Sequence, residues 1–137
     1  MVDDGDRTLK ISVKGSANGG WGLTQTQLSK LKQANYHGAA AAWLQRHKPG
    51  TVICLVQFKD TEFDDLPRVY LAKPEEIAER LRQACGGRGD TILFENYTRG
   101  PRAAGAGTIE KIPNDWRLSE ERVNAMFTKK MRETRDE

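Results

Sequence analysis

Cysteine and histidine are both scarce, with two of each among 137 residues. So few thiols exclude a disulfide framework. Cys54, inside an apolar run, and Cys85, at an expected helix end, read as packing residues of a reducing compartment. His37 and His47 have no cysteine or acid at ligand spacing, which removes a zinc-type cluster. Long apolar runs are also missing: nothing approaches the roughly eighteen residues of a membrane span. The acidic start Met1-Val2-Asp3-Asp4 does not resemble a secretory signal. No Ser/His/Asp order has useful spacing, and no phosphate loop with its lysine and serine is present. These absences point to a cytoplasmic chain without a membrane segment and leave little chemistry open.

What remains is a polar composition, 37% apolar against 30% charged, expected to form a single α/β domain over residues 1–137. The net charge of +3 is weak support for an anionic partner. Its distribution says more. Acids concentrate at 3–6, 60–65 and 75–79, whereas bases spread through 30–48 and gather at Lys129, Lys130, Arg132 and Arg135.

The most informative segment is Leu9-Lys10-Ile11-Ser12-Val13-Lys14-Gly15-Ser16, followed by Ala17-Asn18-Gly19-Gly20-Trp21. Strict alternation places Leu9, Ile11 and Val13 on one side of a strand and Lys10, Ser12 and Lys14 on the other. A lysine at the end of such a strand, beside a small-residue loop, is suited to hold its ammonium over a phosphate. Upstream, Asp3-Asp4-Gly5-Asp6 reads as a tight turn with little chain before it, as if the sequence opened inside a hairpin.

Downstream, Thr24 is placed to cap a helix with Leu28 and Leu31 on one face, broken near Asn35-Tyr36-His37-Gly38 and resuming from Ala39 to His47. Thr51 to Lys59 is nearly continuous apolar, as for a central strand covered on both faces, and Arg68–Ala72 is expected beside it, antiparallel. Pro74-Glu75-Glu76 opens a helix whose buried face carries Ile77, Leu81 and Cys85 and which stops at Gly86-Gly87. Thr91 to Glu95 is a further strand, residues 99–115 a flexible Gly/Ala/Pro-rich loop, and 119–134 a C-terminal helix. The order implies two or three layers of mixed α/β structure.

With Ile11 to Ser16, Gly19-Gly20-Trp21, Val52 to Phe58 and Arg68 to Ile77 in place, the chain resembles the PD-(D/E)XK nuclease superfamily over roughly residues 5–85. The resemblance implies a restriction-endonuclease-like fold, a mixed central sheet flanked by helices, and DNA as partner. It also implies Mg²⁺ held by an aspartate and a second acid, with a lysine stabilising the developing charge. Carried over, Lys14 is the family lysine and Ser12 stands where an acid or glutamine is usual. Asp6 or Asp4 is the available aspartate. Serine brings no charge to a Mg²⁺ site. Either the chain lacks the family's first helix and strand, or Asp6 or Asp4 substitutes, or catalysis is absent. A function related to Mg²⁺-dependent DNA nucleases with an impaired site therefore competes with a non-catalytic nucleic-acid-binding or protein-interaction module.

Lys10, Ser16, Asn18, Trp21, Gln25, Arg99 and Arg102 are the candidate nucleic-acid contacts, each with a plainer alternative. Trp21 either stacks on a base or plugs a core edge. The glycine loop either approaches a phosphate or is a simple connection. Arg99 and Arg102 either touch the DNA backbone or ride on a mobile connector. An exposed strand edge beside residues 9–14 would invite a homodimer.

Overall fold

The computed structural model describes residues 2–4, 7–31 and 33–135, with side chains for 8–31 and 33–127. A four-stranded mixed sheet runs in the order β1-β2-β4-β5, where β1 is Val2–Asp4, β2 Arg7–Ser16, β4 Thr51–Gln57 and β5 Arg68–Ala72. β2 and β4 are parallel, and the other two pairings are antiparallel. Parallel pairing needs a crossover. It is supplied by the short strand β3 (Gly20–Gly22) and helices α1 (Gln25–Ser29) and α2 (Tyr36–Gln45).

The apolar run in β4 is explained by burial on both faces. Ile53 and Leu55 join Trp43 of α2 and Ile77, Ala78 and Leu81 of helix α3 (Pro74–Gln83) in one core. Val52 faces the other way, with Leu9, Leu71 and the Met126 and Phe127 side chains of helix α4 (Glu120–Arg135). Helices thus cover both sides, giving three layers. Buried Arg122 fastens α4 down by donating to the Leu71 carbonyl at 2.9 Å and pairing with Glu76 of α3 at 2.7 Å.

Local signals explain the helix starts. The Asn35 side chain accepts from Gly38 N at 2.8 Å and so caps α2 at Tyr36, earlier than the expected Ala39. Pro74 sits in the first turn of α3, and Glu76 reaches back to Lys73 N at 2.9 Å. Thr24 is different. Its hydroxyl is buried without a partner among the described residues instead of capping α1, and Gln27 takes the buried position while Leu31 lies exposed.

Two further expectations are corrected. Asp3 and Asp4 belong to β1, opposite Thr8 and Arg7, instead of to a turn. Backbone pairing with β2 determines their conformation, overriding their turn preference. Residues 99–115 are not a featureless loop. Strand β6 (Ile92–Phe94) pairs with β3, and β7 (Asn96–Thr98) pairs with β8 (Ile109–Lys111). The connection then returns Ile112 and Trp116 to the core. Small residues concealed a hairpin held by the Arg99 side chain. Cys54 is half-buried, Cys85 is buried, and both are free thiols. Among the described residues no helix is long and apolar enough to cross a membrane.

Candidate nucleic-acid interface

β2 sets the site. Its register with β4 places Lys10 beside Thr51, Ser12 beside Ile53 and Lys14 beside Leu55, so this row faces the layer of α2 and α3. Lys10 and Lys14 are exposed, with Ser12 half-buried between them. Four residues of strand separate the ammonium-bearing positions by about 13 Å. Neither lysine pairs with a carboxylate among the described residues, and nor does exposed Arg46 at the end of α2.

Four arginines behave differently. Arg68 pairs with Glu95, Arg82 with Glu79, Arg99 with Asp90 and Glu110, and Arg122 with Glu76. Among the cations expected to contact DNA, burial separates the available from the spent. The Arg99 side chain is 9% exposed and held at 2.5 Å from Asp90, so it offers no free charge to a phosphate. Arg102 is exposed on the β7–β8 connection.

The glycine loop spends its donors internally. Gly19 N donates to Gln57 Oε1 at 3.2 Å, Gly20 N to Asn18 Oδ1 at 3.2 Å, and Asn18 N to Ser16 Oγ at 3.4 Å. Gly19 has φ near +92°, and a Cβ there would lie 3.2 Å from the Lys59 side chain. Trp21 is 3% exposed, packs edge-on against Tyr70 and donates its indole N–H to the Lys14 carbonyl at 3.1 Å. It is a core residue and presents no open ring face to a base. Gln25 is exposed, folded over Gly22.

Of the expected metal ligands, Asp4 does not reach Lys14. Asp4 is opposite Arg7, seven residues from Lys14 along β2, a separation of about 23 Å that no aspartate and lysine side chains can span. Asp6 lies outside the described residues. Among the described residues no group of three His, Cys, Asp or Glu side chains could hold a metal ion. With Ser12 neutral, the described residues around Lys14 do not fit Mg²⁺.

One feature was hidden from sequence reading. His47 packs against Trp43 with ring centroids 4.4 Å apart and planes tilted by 57°, and its Nδ1 lies 2.9 Å from the Trp43 carbonyl. Burial holds its pKa below the ordinary value, and the charges of Arg46, Lys14 and Lys10 push in the same direction against the carbonyl bond. Its place four residues after Trp43 was the available signal.

At the far end of the sheet, Glu95 accepts two bonds from Arg68, at 2.7 and 2.9 Å, and one from the Tyr70 hydroxyl at 2.5 Å. The Arg68 bonds hold its carboxyl below the usual glutamate range, outweighing partial burial. A depressed carboxylate stabilises the fold fully above its unfolded pKa, about 4.3, and loses that contribution as pH falls through its lower folded value. Glu95→Gln should therefore unfold at lower urea than the parent at neutral pH, with the gap closing on acidification. A gap unchanged down to strongly acid pH would refute the ion-pair account.

Comparison with family models, curated proteins and solved structures gives no match to this chain.

Proposed function

We propose that this chain is a nucleic-acid-binding α/β module, related in the manner of its PD-(D/E)XK resemblance to DNA nucleases, that grips DNA phosphates through Lys10 and Lys14. One observation carries the reading: two exposed lysines share a sheet face without a paired carboxylate among the described residues, while four arginines are committed to ion pairs. Ammonium groups about 13 Å apart on a strand suit separate phosphates better than one compact anion. Cleavage with Mg²⁺ is the poorer reading, because the register keeps Asp4 at the opposite end of β2 and Ser12 supplies no charge. A homodimer paired along β2 would gather the lysines of both copies on one face, where like charges repel.

The test is fluorescence anisotropy of a labelled DNA duplex across a salt series. The parent should bind with log affinity falling linearly against log salt, and EDTA should not change the result. Lys10→Glu with Lys14→Glu should weaken binding at least tenfold, and each lost contact should flatten the salt slope by about 0.9. Both sites are exposed, so the urea midpoint should stay close to the parent's. Equal affinity and slope in parent and variant would reject the proposal. Plasmid nicking that needs Mg²⁺ and disappears in Lys14→Ala would instead restore the nuclease reading.

A further inference from the structure

His47 stands at the end of α2, and three features of its setting belong together. The Trp43 carbonyl can only accept, so the Nδ1 contact at 2.9 Å requires the proton on Nδ1. Nε2 is then the free nitrogen, a lone-pair acceptor with no protein partner among the described residues. Contact with the Trp43 ring, tilted by 57° at 4.4 Å between centroids, and the Nδ1 bond together hold the imidazole, so this nitrogen keeps a constant direction. β2 runs beside this helix end: Lys10 is paired with Thr51 and its amide donates to the Gly50 carbonyl at 2.9 Å, three residues after His47, and the charges of Arg46, Lys14 and Lys10 act on the ring.

Surrounding cations favour the neutral imidazole on an empty surface, and a bound anion favours the charged one. An incoming phosphate cancels the surrounding positive charge, and protonated Nε2 then becomes a third donor beside the lysines. We propose that His47 belongs to the phosphate-binding surface, and that its Nε2 takes a proton from solvent as the DNA backbone settles across Lys10 and Lys14, with separate phosphates on the two lysines. This rests on reading the β2 lysines as phosphate ligands. The charged groups on the two elements facing the ring, Arg46 from α2 and Lys14 and Lys10 from β2, are all cations, so the anion itself must supply the compensating charge.

Linkage follows. A group that gains a proton on binding makes affinity rise as pH falls through the range where histidine titrates. The experiment measures anisotropy of the same labelled duplex at about pH 5.5 and about pH 8, spanning the histidine range. The proteins compared are the parent, His47→Gln and His37→Gln. Glutamine can still donate to the Trp43 carbonyl but cannot charge. His37, whose Nε2 lies 2.7 Å from the Gly87 carbonyl, controls for general titration.

The parent and His37→Gln should gain about tenfold more affinity over that interval than His47→Gln does. The His47 ring C–H signal, followed by NMR against pH, should titrate at higher pH with duplex bound than without. If His47→Gln binds with the parent's pH dependence and still needs Lys10 and Lys14, the proton linkage is wrong and the lysine surface stands. Duplex binding insensitive to the Lys10→Glu, Lys14→Glu pair would remove both readings together.

Discussion

Arg99→Ala should cost about 3–5 kcal/mol of stability, the range for breaking a buried ion pair by removing one partner. The guanidinium donates to Asp90 at 2.5 Å and to Glu110 at 3.4 Å, with side-chain exposures of 9%, 10% and 16%. It also lies over the Phe94 and Tyr97 rings, 5.2 and 5.7 Å from their centroids. Removing it leaves two carboxylates facing each other in a poorly solvated place. Asp90 retains the Thr91 amide at 2.7 Å, which places the loss toward the lower end of that range. Urea unfolding of parent and variant measures the difference. Adding Asp90→Asn to Arg99→Ala should recover part of the loss, since the stranded charge is then gone. Midpoints within about 0.5 kcal/mol of the parent, the usual range for surface substitutions, would show that this pair is not a buried one.

Gly105→Ala should cost about 2–5 kcal/mol, from two sources acting on one methyl group. Gly105 adopts φ near +70°, a left-handed conformation that costs a side chain about 1–2 kcal/mol. A Cβ there would lie 2.6 Å from the Cys85 carbonyl carbon and 2.7 Å from its Cα. Backbone cannot yield as a side-chain end can, so overpacking adds about 1–3 kcal/mol. The expected result is undocking of the β7–β8 connection, seen as protease cleavage between 99 and 108 before global unfolding. Gly107 also has positive φ, near +82°, but nothing lies within 4 Å of its added Cβ. Gly107→Ala should therefore show only the strain component. Equal cost at the two positions would mean that contact with Cys85 contributes nothing.

Both variants concern a segment whose composition reads as a mobile connector. Gly100, Gly105 and Gly107 dilute every periodic signal there, and the alternation in β7 and β8 spans three residues each. Elements with dense local signals were legible: β4 through its continuous apolar run, α3 through Pro74, Glu75 and Glu76, and β2 through its alternation. Trp21 illustrates the reverse problem. Its flanking glycines leave base stacking and core plugging both open, and the pairing of β3 with β6, some seventy residues later, buries the ring.

Sequence alone determined the strands β2, β4 and β5, the helix α3, the two-sided burial of β4, and the placing of Lys10, Ser12 and Lys14 in one row. These follow from contacts between near neighbours and from the periods of strand and helix. Tertiary structure decided which charges are spent and which are free. Arg122 finds Glu76 46 positions away, Arg68 finds Glu95 27 away, and Gln57 closes the loop at Gly19 38 away. It also separated Asp4 from Lys14, because strand register is a property of the paired sheet. A side chain's chemistry depends on partners brought near by folding, and those partners leave no local mark in the chain.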